Sequence, residues 1–140
     1  MTYPDGATRR YVYENITFPY ALTGIIDEKG VRFATWGYNS AGLAVSSEHA
    51  GGVDKMTLVY DFSNGQTSVT NALGSKTIYF YGTSHGAVRP VGLIRPDETQ
   101  KQRQFDANGN VALETDYKDN ITSYTYDTTR NLETRRTLPT

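Results

Sequence analysis

An aromatic residue followed by an acid or its amide returns along this chain at a nearly fixed interval. Tyr13-Glu14, Tyr38-Asn39, Tyr60-Asp61, Phe105-Asp106 and Tyr126-Asp127 carry the pair, and Tyr81-Gly82 keeps the frame without the acid. The six anchors Tyr13, Tyr38, Tyr60, Tyr81, Phe105 and Tyr126 are spaced 25, 22, 21, 24 and 21 residues apart. A period of this size marks stacked supersecondary units, each too small to bury an apolar face alone.

The interior of each unit follows from its residues. Two positions before the anchor stands a second aromatic in Tyr11, Trp36, Tyr79 and Tyr124, with Leu58 and Arg103 as exceptions. Alternation at period two puts both rings on one face of a strand. A turn signal follows the anchor: Asp106-Ala107-Asn108-Gly109 and Asp61-Phe62-Ser63-Asn64-Gly65 contain Asn-Gly, a strong hairpin signal. The acid or amide after the anchor can accept backbone N–H bonds and close that turn. A second turn precedes most anchors, at Asp27–Gly30, Asn71–Gly74 and Asp116–Asn120, with Pro4-Asp5-Gly6 and Pro96-Asp97-Glu98 in the same place. Two strands and two turns fill about 21 residues.

Composition agrees. The 140 residues include 11 Tyr, 19 Thr and 13 Gly, types that favour strands and turns over helices. No cysteine is present, which removes disulfides, thiolate metal sites and cysteine nucleophiles. With 14 basic and 15 acidic side chains there is no electrostatic footprint for nucleic acid. No apolar run reaches the length of a membrane-spanning helix, and no signal peptide is visible in the first residues. The segment Asp97–Gln104 has helical propensity, yet Pro4 and Pro96 both lie nine residues before an anchor. The repeat frame therefore predicts strand there.

These motifs resemble the Rhs family, also called YD repeats, with its Tyr-x-Tyr-Asp-x-x-Gly pattern. The resemblance runs from about Tyr3 to Leu138 and is cleanest over Gln104–Asp127. Gly82, Phe105 and the long Tyr13–Tyr38 interval depart from the pattern. The resemblance implies an all-β chain of antiparallel hairpin repeats in one curved, continuous sheet, a segment of a spiralling shell without significant helix. It implies a single array of about six repeats over residues 1–140 and a non-catalytic structural role. In polymorphic toxins of bacteria and in insecticidal toxin complexes such shells enclose a C-terminal toxin; teneurins display related shells at the cell surface. The partners implied are neighbouring repeats and an encapsulated toxin, in a secreted or surface-exposed bacterial protein. Neither end of the chain reads as a cap, so self-association through open sheet edges is expected.

Candidate sites are few. His49 and His85 are the only histidines, too few for a three-histidine metal site. Glu48 and His49 are adjacent and point to opposite faces if extended, and His85 falls at a hairpin turn. The aspartates sit mostly on repeated turns, where geometry explains them. Ser46, Ser47 and Ser84 lack a nucleophile-elbow setting, and Gly37, Gly51 and Gly52 do not form a phosphate loop. No catalytic, cofactor-binding or metal-binding residue is assigned, and no cofactor is expected. Asn15-Ile16-Thr17 and Asn120-Ile121-Thr122 match the glycosylation sequon, relevant only in a eukaryotic secretory host. The aromatic rows admit two readings. One is a stacked ladder of Tyr11, Tyr13, Trp36, Tyr38, Tyr79, Tyr81, Tyr124 and Tyr126; the other is a carbohydrate-binding surface that uses these rings. Recurrence in every unit favours the ladder.

Overall fold

The computed structural model describes residues 1–139. Its twelve strands are β1 (Arg10–Val12), β2 (Gly24–Ile26), β3 (Arg32–Tyr38), β4 (Ala44–His49), β5 (Met56–Asp61), β6 (Gln66–Asn71), β7 (Lys76–Ser84), β8 (Ala87–Ile94), β9 (Gln100–Phe105), β10 (Val111–Thr115), β11 (Ile121–Tyr126) and β12 (Glu133–Thr137). They form one antiparallel sheet whose strand order is the sequence order. The only helical element among the described residues is a 3-10 turn at Ala50–Gly52. The all-β expectation holds, and Gln100–Phe105 is strand despite its helical propensity.

The chain forms two compact units, Met1–Val59 with Val69–Ser75, and Tyr60–Ser68 with Lys76–Thr140. Neither contains a packed interior. In the first unit Thr23, Gly24 and Ala34 are buried; in the second, among the described residues, Gly109 alone is. Among the described residues Ala34 is the one buried hydrophobic residue. Most other strand residues are half-buried or exposed, so backbone pairing and turn geometry carry the order that a core supplies elsewhere.

One turn recurs. In eight five-residue segments, beginning at Tyr3, Asp27, Asn39, His49, Asn71, Arg95, Asp106 and Asp116, the first residue's N–H donates to the fifth residue's carbonyl. Five of these begin with Asp or Asn, whose side-chain oxygen accepts the N–H groups of the third and fifth residues; for Asp106 the distances are 2.9 and 2.8 Å. The fourth residue is left-handed, usually glycine, with Glu98 at φ +65° and Asp119 at φ +61° as exceptions. This is a three-residue hairpin loop closed by a left-handed residue, and a short Asx side chain is what its first position rewards.

The two proline turns use a second solution. Neither Tyr3 nor Arg95 offers a side-chain acceptor in the first position. The third residues, Asp5 and Asp97, cap the fifth N–H instead, at 3.0 and 3.1 Å. The repeat frame does not place the turn at His49–Val53. Its signal was Gly51-Gly52, both at positive φ.

Candidate functional site

The feature that repeats in this molecule is the anchor hairpin. On β3, Gly37 pairs with Ser46 and Tyr38 with Ala44, so Val45 is an extra residue on the returning strand. The same shift occurs at Phe80↔Gly92 and Tyr81↔Pro90, with Val91 extra. It recurs at Gln104↔Leu113 and Phe105↔Val111, with Ala112 extra, and at Thr125↔Arg135 and Tyr126↔Glu133, with Thr134 extra. Each of these anchors therefore faces a β-bulge, which bends the returning strand and increases its local twist. The β2–β3 hairpin shares it at Phe33, whereas β1–β2, β8–β9 and β10–β11 pair without a shift.

Among the described residues, the eight rings expected to form a ladder do not stack on one another. Among the described residues the ring–ring contacts are Phe33 with His49 at 5.0 Å and Tyr60 with Phe62 at 5.9 Å. None joins two of the eight aromatics expected to form a ladder. The cause is geometric: successive anchors lie two strands apart, roughly 9–10 Å at normal strand spacing, beyond the range of ring pairing. Several rings are used separately. The Tyr38 hydroxyl donates to the Leu22 carbonyl at 2.8 Å, and that of Tyr126 to the Val111 carbonyl at 3.0 Å. Other rings lie under arginines: Arg136 over Tyr124 at 5.1 Å, Arg89 over Phe105 at 5.5 Å and Arg95 over Tyr117 at 3.4 Å. Such cation–π contacts do not depend on regular ring spacing.

Turns within each unit also touch their predecessors. In the first unit, a Cβ on Gly42 would lie 3.0 Å from the Phe18 ring. Phe18 belongs to the loop 13–23, which replaces the short turn after Tyr13. There Glu14 closes no turn and bonds Arg32 at 2.9 Å, while Asn15 accepts the N–H groups of Thr17 and Phe18. In the second unit, Arg89 donates to the Gly109 carbonyl at 2.8 Å. The side chains of Asn110 and Asn131 bond each other 21 residues apart, linking consecutive anchor turns.

Five turn aspartates lie below the ordinary carboxylate range. Asp106 lies below its ordinary range because the Asn110 backbone N–H and then its side chain donate to the carboxylate. Asp116 is lowered first by the Asn120 side chain, Asp127 first by the Arg130 N–H, Asp97 first by the Thr99 hydroxyl and Asp61 first by the Ser63 hydroxyl. Hydrogen bonds to the charged form are the shared cause. Tyr126 is shifted up, by burial first and then by the charge of Glu133.

The remaining sequence candidates separate. Glu48 pairs with Lys55 at 3.4 Å, whereas His49 meets Asp54 at 3.4 Å and the Phe33 ring. The two neighbours thus have different partners. His85 occupies a two-residue turn with Gly86, both left-handed, and its Nδ1 lies 3.3 Å from Ser84 Oγ. Asn15 and Asn120 each use their side chains inside local turns. No group of three His, Asp or Glu side chains suited to a metal ion occurs among the described residues. The chain matches no protein-family model and no curated protein.

Proposed function

We propose that this chain is a non-catalytic structural repeat module, a segment of an Rhs/YD-type wall that acts beside neighbouring repeats. One observation carries the reading: a regular hairpin element is repeated without a core. Large apolar side chains such as Tyr11, Phe33, Val59 and Tyr79 remain exposed, while Ala34 is the lone buried hydrophobic among the described residues. A unit of this kind gains burial from whatever lies beside or inside it. In an Rhs/YD shell the surroundings are further repeats and an enclosed C-terminal toxin, in a secreted or surface-displayed bacterial protein. The wall acts mechanically. Between the two edge strands, backbone donors and acceptors are used in strand pairing, and exposed aromatic and aliphatic rows hold partly unfolded cargo away from water.

Light scattering and melting of the isolated chain test this. The reading expects self-association or a broad, weakly cooperative transition. A sharp monomer with cooperative unfolding contradicts it. In the gene, the expectation is further anchors at the same period around these residues and a short toxin frame downstream.

A further inference from the structure

We infer that Asn108-Gly109 is a self-modifying site, where the Gly109 nitrogen converts the Asn108 carboxamide to aspartate and isoaspartate with His85 as the base. The site is independent of the wall reading. The second unit holds two Asn-Gly pairs, Asn64-Gly65 and Asn108-Gly109. Glycine has no side chain to keep its nitrogen from the preceding carboxamide, so both pairs have the same intrinsic chemistry. Their surroundings differ. The Asn64 carboxamide donates to Asp61 Oδ2 at 2.7 Å, and the Gly65 carbonyl accepts the Tyr81 N–H at 2.7 Å. Both partners of that reaction are pinned. Asn108 is exposed, and its carboxamide has no hydrogen-bond partner among the described residues.

The preceding hairpin brings the rest of the chemistry to Gly109. A Cβ built there would lie 3.1 Å from His85 Nδ1, 3.5 Å from Arg89 Nη2 and 3.6 Å from Ser84 Oγ. With its hydrogen on Nε2, the imidazole keeps a lone pair on Nδ1 for a proton. Arg89 Nη1 donates to the Gly109 carbonyl at 2.8 Å, so a cation stands where negative charge builds as the nitrogen deprotonates. The Gly109 N–H, bonded to the Asp106 carbonyl at 3.0 Å, is released when the turn opens. Its proton passes to His85, and the nitrogen bonds to Asn108 Cγ. The Cγ–Nδ2 bond then breaks, and the amide nitrogen leaves as ammonia with the proton that His85 returns. Water opens the resulting succinimide at either carbonyl, giving aspartate or isoaspartate. The isoaspartate route adds a methylene to the main chain inside the loop. The Asp106 bonds to the Asn108 and Asn110 N–H groups, at 2.9 and 2.8 Å, are set for the shorter chain, so modification loosens this turn.

The test is incubation of the full chain at neutral pH in heavy-oxygen water, followed by peptide mass spectrometry. Each opened succinimide retains one heavy oxygen, and electron-transfer fragmentation separates aspartate from isoaspartate. In the folded chain Asn108 should react about tenfold faster than Asn64, less than a fully aligned base supplies. In guanidinium the two rates should converge. His85→Gly keeps a turn that Gly-Gly also suits and leaves room for a free ring. It should remove the excess at Asn108, and added imidazole should restore it, which a purely structural role for His85 would not allow. Three results overturn the proposal: equal rates at the two pairs in the folded chain, an excess that survives His85→Gly, or a loss that imidazole does not reverse.

Discussion

Two neighbouring hairpins of the second unit solve one problem differently. In β9–β10 the anchor Phe105 is followed at once by Asp106, and the three-residue loop closes immediately. In β7–β8 the anchor Tyr81 is followed by Gly82, and the strands run on three residues to the His85-Gly86 turn. The acid decides where the hairpin ends. The bulge does not depend on it, because Val91 and Ala112 stand in the same place relative to their anchors. Register at the anchor is thus the constant element, and turn type is a variable laid over it. The longer hairpin also has a use: Arg89 reaches the Gly109 carbonyl and the Phe105 ring. Two of the three departures from the repeat, Gly82 and Phe105, meet at that arginine.

Deleting Ala112 should be the most damaging change. Without the bulge, Val111↔Phe105 and Leu113↔Gln104 become directly successive pairs, and the returning strand loses the bend and extra twist that seat the Asp106 turn. The expected loss exceeds about 3 kcal/mol, the upper range for a change at one position, in denaturant unfolding. Deleting Val91 should do the same if the bulge is the shared element. A mild effect at Val91 alone would separate the two hairpins and break the comparison.

Alanine at the left-handed turn positions sharpens it. Gly86→Ala meets open space, so only the φ of +72° penalises it, by about 1–2 kcal/mol. Gly109→Ala has φ +81° and also places a Cβ 3.1 Å from His85 Nδ1 and 3.5 Å from Arg89. Its cost should be larger by ~1 kcal/mol. Equal effects in chemical unfolding would mean that the turn-to-turn contact is not tight.

Acid should act on one hairpin before the other. Asp106 and Asp116, at the two ends of β10, have values below the ordinary carboxylate range. A lowered folded value gives stability that is present above the unfolded value, about 4, and is lost as pH falls through the lower folded one. Amide protection at Asn110 and Asn120 should therefore fall as pH drops below about 4. The His85-Gly86 turn, which has no carboxylate, should keep its protection longer. Simultaneous loss at both turns would contradict this. The smallest effect is a gain: Asp119→Gly relieves a left-handed non-glycine residue and should raise stability by about 0.5–1 kcal/mol in the same assay.

Much of this was written in the sequence because the turns have side-chain chemistry. Asn-Gly, the Asx positions and the matched Pro4 and Pro96 placed most hairpins, and the frame placed β9 as a strand against its local propensity. The bulges left no such trace. Val45, Val91, Ala112 and Thr134 share no chemical feature, since a bulge is a backbone event that many side chains tolerate. The stacked ladder failed because the returning strand between anchors sets successive anchor rings beyond pairing distance.

Residue-resolved native-state hydrogen exchange tests most directly whether repeated hairpins, rather than a core, hold this chain together. The account predicts that the slowest amides in each unit include the recurring turn donors, among them Asn39 and Leu43 in the first and Asp106 and Asn110 in the second. Protection concentrated around buried Ala34, with turn amides exchanging freely, would contradict it.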